Sequence, residues 1–135
     1  MVNYMELNDM LNIGKIDIEE MIREGIKETR EELENLTTER TCLIYTSHLY
    51  KNLRKRGVLA YIIDTQKEFN MEYSHYFIII PKNRDSNYIV DLTYEQFKYD
   101  QAFDSMYNDG YQVLSSDMYK RYLSNIGNIS KNNRK

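Results

Sequence analysis

The nucleophilic chemistry open to this chain of 135 residues depends on one cysteine and two histidines. The surrounding pattern places Cys42 at the start of a helix, where unpaired backbone N–H groups and the helix dipole favour a thiolate. A thiolate is a ready nucleophile, and it needs a base nearby that moves protons during the reaction. The first requirement is therefore a histidine that can reach Cys42.

The two histidines differ in what they could reach. His48 follows Cys42 by six residues in the same predicted helix, which corresponds to about 600° of turn and about 9 Å of rise. We predict that His48 lies on another face, out of hydrogen-bond reach, as an exposed or half-packed residue. His75 lies in a predicted strand, so the fold can bring it to Cys42, and it is the candidate base.

A base of this kind needs a third group that fixes its tautomer and orientation. A turn centred near Asn83 predicts an antiparallel hairpin that places Asp91, or its immediate neighbour, opposite His75. Opposed side chains on one face lie close enough to bond. Asp91 stands in an otherwise apolar strand, where a carboxylate requires a polar partner. The pattern therefore predicts that Asp91 orients His75.

This order, a cysteine at a helix start and then a histidine and an aspartate on successive strands, resembles the transglutaminase-like core of the papain-like cysteine enzymes. Ser74–Phe77 resembles the His-aromatic strand of that family, and Val90–Thr93 resembles its Asp-x-Thr strand. The resemblance covers roughly Thr37 to Phe97 and implies a bacterial enzyme of the effector or peptide-processing type. It also implies a helix bearing the cysteine, packed on a sheet.

The chemistry expected from this arrangement is cysteine-dependent acyl transfer on a protein or peptide amide. Cys42 would attack the carbonyl, His75 would move the proton and Asp91 would orient His75. Water as the acceptor gives a peptidase or a glutamine deamidase, and an amine gives a transglutaminase. The backbone N–H of Cys42 is the first expected oxyanion donor. Neither a metal nor an organic cofactor is expected.

Two readings without catalysis stay open. Cys42 shares a helix face with Tyr45, Leu49 and Leu53, and a lone cysteine is often a small buried hydrophobe. The chain could also be a non-catalytic interaction or adaptor domain on the same fold, with the charged helix from Asp17 to Leu36 as its docking surface.

The elements that position these residues follow from periodicity, caps and turn signals. Helices are predicted first and strands afterwards, which is typical of an α+β fold with an antiparallel sheet of three or four strands. The predicted helices are Tyr4–Leu11, a helix capped by Asp17 that runs to about Leu36, Cys42–Arg56 and Ser116–Leu123. The predicted strands are Val58–Ile63, Tyr73–Ile80, Asn87–Thr93 and Tyr111–Leu114.

Length and composition set the remaining limits. The chain suits one domain, residues 1–129, with N-terminal helices over 1–36, a core over 37–97 and a frayed tail over 130–135. One cysteine excludes an internal disulfide. A net charge of −3 makes nucleic acid an unexpected partner, and no apolar run is long enough to span a membrane. We expect a cytoplasmic protein, or one secreted without a visible signal peptide, whose oligomeric state the sequence leaves open.

Overall fold

A computed structural model describes residues 17–37 and 41–132, and it gives side-chain surroundings as far as residue 127. The protein is α+β, as predicted, with one four-stranded antiparallel sheet. The described helices are α1 (Ile18–Glu32), α2 (Cys42–Lys55), α3 (Thr65–Phe69), α4 (Asp104–Asp109) and α5 (Ser116–Asn132). The strands are β1 (Tyr61–Asp64), β2 (Tyr76–Pro81), β3 (Ser86–Val90) and β4 (Tyr111–Ser115).

Both faces of the sheet are covered, so the strands alternate between two hydrophobic cores. Helices α1 and α2 pack on one face, where Ile26, Leu53 and Ile78 are buried together. Helices α4 and α5 cover the other face, where Phe77 and Tyr122 are buried together. Burial of these side chains is the main force that holds the helices against the sheet.

Helices α1 and α2 begin where predicted, but α1 ends earlier than predicted. Asp17 caps α1, because its side chain accepts a hydrogen bond from the backbone N–H of Glu19. Helix α1 ends at Glu32, before the predicted end at Leu36. Helix α2 begins at Cys42 and ends at Lys55, with Gly57 in the left-handed conformation just beyond it.

The hairpin β2–β3 differs from the prediction by two positions of register. Ile79 faces Ile89, whereas the predicted register would have placed Asn87 there. The turn is closed by Asn83, whose side-chain oxygen accepts hydrogen bonds from the Asp85 backbone N–H and the Ser86 hydroxyl. Pro81, predicted as part of the turn, is therefore the last residue of β2.

Helices α3 and α5 also depart from the sequence prediction. Helix α3 was not predicted; Asp64 caps it by accepting a hydrogen bond from the backbone N–H of Gln66. Helix α5 continues to Asn132, well past the predicted end at Leu123, so residues 130–132 are helical rather than a frayed tail. The predicted helix Tyr4–Leu11 and residues 133–135 lie outside the described residues. No helix within residues 17–37 and 41–132 is apolar enough, over sufficient length, to cross a bilayer.

A glycine at the end of α4 supports the segment that carries Asp91. Gly110 has φ +87, and its carbonyl accepts the backbone N–H of Asp91 at 2.9 Å. A Cβ at this position would lie 2.7 Å from Leu92 Cδ2 and 3.2 Å from Arg30 Nη2. A side chain at position 110 is therefore disfavoured, because the backbone is left-handed and the Leu92 side chain would have to shift.

We expect Gly110→Ala to lower the free energy of unfolding by about 2–4 kcal/mol, because left-handed strain and overpacking add. Urea denaturation followed by circular dichroism measures this change. Gly57→Ala is the matched control: Gly57 has φ +84, and a Cβ added there would meet nothing within 4 Å. Gly57→Ala should lower the free energy of unfolding by the left-handed strain alone, about 1–2 kcal/mol. Equal losses in the two variants would contradict the steric account.

Candidate active site

Cys42 is the first residue of α2 and is half-buried. Thr41 precedes it at the N-cap, and the Thr41 carbonyl accepts the backbone N–H of Tyr45 at 3.0 Å. The backbone N–H groups ahead of Tyr45 in the first turn have no intrahelical acceptor and carry the positive end of the helix dipole. The thiol thus occupies the position predicted from the sequence.

A hydrogen bond from Thr46 ties this helix end to the strand that follows His75. The Thr46 hydroxyl donates to the Tyr76 carbonyl at 3.1 Å. Thr46 is one helical turn beyond Cys42 and therefore on the same face of α2. Because Tyr76 directly follows His75, this bond fixes the start of α2 beside the histidine.

His75 lies immediately before β2 and is 3% exposed. Its backbone is held on both sides by Thr65, the first residue of α3. The His75 N–H donates to the Thr65 hydroxyl oxygen at 2.8 Å, and the His75 carbonyl accepts the Thr65 N–H at 3.0 Å. Phe97 packs edge-on against the imidazole, with ring centroids 4.7 Å apart. The backbone and the ring of His75 are thus both fixed.

Asp91, just past the end of β3, is 2% exposed and lies in a cluster of hydrogen-bond donors. His75 Nε2 is 2.7 Å from Asp91 Oδ2, and the Tyr122 hydroxyl donates to the same oxygen at 2.6 Å. Thr93 donates to Oδ1 from its backbone N–H at 3.2 Å and from its hydroxyl at 3.3 Å. The carboxylate is therefore buried with several donors on its two oxygens.

The approach of His75 to Asp91 is diagonal rather than directly across the hairpin. In the observed register, Asp91 would continue opposite Phe77, and His75 opposite Thr93. The two side chains still share one face, because they are separated by an even number of positions along the pleat. Diagonal neighbours lie about 7–8 Å apart at Cα, within reach of long side chains. The register error therefore did not separate the predicted pair.

The electrostatics favour a charged pair between Cys42 and His75. Burial raises the pKa of the Cys42 thiol, but the hydrogen bond and charge of His75 and the backbone N–H of Tyr76 outweigh it and hold the pKa below its usual value. Burial alone would lower the pKa of His75, yet the charge and hydrogen bond of Asp91, with those of Cys42, raise it to about 9. Both shifts favour a thiolate beside an imidazolium. Because Nε2 is bonded to Asp91, Nδ1 is the ring nitrogen left for Cys42.

His48, the other histidine, interacts with a different element. Its Nδ1 is 3.5 Å from Glu32 Oε2 at the end of α1, and its side chain is 39% exposed. It thus belongs to the contact between α1 and α2, whereas His75 meets the thiol.

The sequence analysis did not single out Thr46, Thr65 or Tyr122, which hold the site. Thr65 begins a helix that was not predicted, and Tyr122 reaches Asp91 from α5, outside the segment that carries the family resemblance. Asp64 is a local capping signal for the helix that Thr65 begins, but only the packing of α3 and α5 brings Thr65 and Tyr122 to the site. In the described part of the chain, no three histidine, cysteine, aspartate or glutamate side chains are grouped to hold a metal ion.

Comparison with protein-family models, with curated proteins and with solved structures gave no match to this chain. The geometry of Cys42, His75 and Asp91 is therefore the basis for a functional proposal.

Proposed function

We propose that the protein is a cysteine-dependent enzyme that transfers an acyl group from a protein or peptide amide. The observation that carries this proposal is the continuous chain of contacts from the Cys42 thiol through His75 to Asp91. Both pKa shifts within it favour the thiolate and imidazolium that such an enzyme needs before substrate arrives. The resemblance to the transglutaminase-like core is part of the same proposal.

In the proposed first half-reaction, the Cys42 thiolate adds to the amide carbonyl carbon and forms a C–S bond. The negative charge moves to the carbonyl oxygen, where the unpaired N–H groups at the start of α2 are the donors available to it. When the C–N bond breaks, the His75 imidazolium gives its Nδ1 proton to the leaving nitrogen. The products are a thioester on Cys42 and a free amine or ammonia.

In the second half-reaction, the now neutral His75 takes a proton from the acceptor as it attacks the thioester. Water yields a carboxylic acid and regenerates the thiolate–imidazolium pair, which is hydrolysis of a peptide bond or of a glutamine side chain. An amine yields a new amide. Asp91 keeps His75 oriented through both steps.

The adaptor alternative has less support from the described residues. Part of the charged surface of α1 is already used inside the molecule, because Glu28 binds both Lys55 and Arg56 at the end of α2. That use leaves less of the helix free for a partner. In contrast, the buried Asp91 is hydrogen-bonded to His75, which in turn interacts with the Cys42 thiol, and an adaptor does not require this arrangement.

Labelling of Cys42 with iodoacetamide tests the proposal directly, because the chain has one cysteine. At pH 6 we expect the folded protein to react at least about 10-fold faster than the same protein in urea, since only the folded thiol has a lowered pKa. Mass spectrometry measures the rate. A thiol that reacts faster after unfolding than before would identify a structural cysteine and overturn the proposal.

The pH profile of turnover should fall on its alkaline side. His75 must be protonated to release the leaving nitrogen, and its pKa is raised to about 9, so the protonated form persists through neutral pH and is lost as pH rises through about 9. We expect kcat to fall through this range while iodoacetamide labelling, which needs only the thiolate, does not fall. A turnover profile that keeps rising above this range would contradict the role of His75.

Product analysis separates the possible acceptors. Incubation with a mixture of unfolded proteins, followed by mass spectrometry, distinguishes new N-termini from a mass gain of one dalton at glutamine. Added primary amine reports a transglutaminase by its incorporation at glutamine. Cys42→Ala is the negative control for the peptidase, deamidase and transglutaminase measurements, because it removes the nucleophile and keeps the start of the helix.

A further inference from the structure

The phenol of Tyr122 contacts Asp91 from the opposite side of the sheet to α2. Its side chain is fully buried in the core between the sheet and α5. Its hydroxyl donates to Asp91 Oδ2 at 2.6 Å, the same oxygen that lies 2.7 Å from His75 Nε2. One carboxylate oxygen is therefore held from two sides, by the histidine and by the tyrosine.

The aromatic core fixes the direction of this hydroxyl. The Tyr122 ring meets Phe77 edge to face at 5.2 Å and Phe103 at 5.9 Å, and it stacks on Tyr94 at 5.8 Å. Burial first, and then the charge and hydrogen bond of Asp91, raise the pKa of Tyr122 well above its ordinary value. The phenol therefore stays protonated and can act only as a donor to Asp91 around neutral pH.

We propose that Tyr122 is a positioning residue of the acyl-transfer site, which acts through Asp91 to hold the carboxylate turned toward His75. This inference rests on the proposed function. A buried carboxylate is stabilised in its charged form by each donor it accepts. Without the phenol, Oδ2 would keep only its bond to His75, and the carboxylate would be free to rotate about its Cβ–Cγ bond.

The consequence for the thiol follows through the chain of contacts. A rotated Asp91 no longer supports the imidazolium of His75, and a neutral His75 no longer stabilises the Cys42 thiolate. Loss of the Tyr122 hydroxyl should therefore reduce thiolate formation on the acid side of the pH profile. A tyrosine that only fills the core would leave that profile unchanged.

The test compares Tyr122→Phe with Tyr94→Phe by iodoacetamide labelling of Cys42 between pH 4 and pH 9. Tyr94 is the matched control, because it is buried in the same core and its hydroxyl bonds to Asn125 rather than to Asp91. At pH 6 we expect Tyr122→Phe to label about 5- to 20-fold more slowly than wild type. Tyr94→Phe should label at the wild-type rate.

A double-mutant comparison shows whether Tyr122 acts through Asp91. In an Asp91→Asn background, Tyr122→Phe should have no further effect on the labelling rate, since the charge that the phenol stabilises is gone. Equal slowing in both backgrounds would overturn the inference. The inference is also overturned if wild type shows fast labelling at low pH and Tyr122→Phe has the same profile. If wild type itself does not show this fast labelling at low pH, the proposed function is overturned instead.

If Tyr122→Phe does not fold, 3,5-difluorotyrosine placed at position 122 by codon reassignment is the second variant. It keeps the ring and the hydroxyl but makes the phenol a stronger donor. A changed acid side of the labelling profile supports the coupling of Tyr122 to Cys42, and an unchanged profile overturns it.

Discussion

Replacement of His75 by alanine should lower turnover by at least about 10³-fold, the largest loss expected after removal of Cys42 itself. The variant loses the group proposed to protonate the leaving nitrogen and also the charge that lowers the pKa of the thiol. Labelling of Cys42 at pH 6 should also slow, by about 10²-fold, because the thiol returns toward its ordinary protonation. Turnover and labelling are measured on the same preparation, with circular dichroism to show that the variant is folded.

His48→Ala is the matched control for this variant. It removes the only other imidazole in the chain from a place on α2 that faces Glu32. Both turnover and the labelling rate should stay within about two-fold of wild type, as for other surface substitutions. If His48→Ala abolished the labelling of Cys42 and His75→Ala did not, the assignment of the base would be wrong.

Asp91→Asn should lower turnover by about 10²- to 10³-fold, which corresponds to roughly 3–4 kcal/mol in the barrier. Asparagine keeps the shape of the side chain but not the charge that, with Cys42, raises the pKa of His75 to about 9. It can also favour the wrong tautomer of the imidazole. The loss should be smaller than in a serine enzyme, because a thiolate can form before substrate arrives.

The alkaline side of the turnover profile gives this prediction a second readout. Without the Asp91 charge, the pKa of His75 falls, so the protonated imidazole is lost at lower pH than in wild type. Turnover should therefore decline from a pH below 9 in Asp91→Asn. Asp100→Asn is the control, because Asp100 pairs with Arg121 away from the site.

Folding separates the two possible roles of Asp91. The carboxylate accepts hydrogen bonds from His75, Tyr122 and Thr93. Its replacement therefore also tests whether these buried hydrogen bonds are needed for folding. A folded Asp91→Asn protein with full turnover would reduce the proposed triad to Cys42 and His75. A protein that no longer folds would show that Asp91 is chiefly a structural partner of the buried phenol and imidazole.

The sequence by itself determined the local features of this protein. The cap at Asp17, the start of a helix at Cys42 and the glycine after its last turn are set by hydrogen bonds and dihedral angles of neighbouring residues. Alternating and helical periodicity likewise predicted the α+β class and the antiparallel sheet. The proximity of His75 and Asp91 was predicted too, although the register was wrong by two positions, because two-residue shifts keep side chains on the same face.

Only the tertiary structure decided how these residues are held. Thr65 hydrogen-bonds the backbone of His75 from α3, a short helix without periodicity of its own. The Thr46 hydroxyl donates to the carbonyl of Tyr76, the residue after His75, and so holds α2 against β2. Tyr122 reaches Asp91 across 31 residues of sequence. Such contacts have no local pattern, because they depend on which faces of the sheet α2 and α5 cover. Burial of apolar side chains sets that arrangement, and only then do the polar groups of Thr65 and Tyr122 meet their partners.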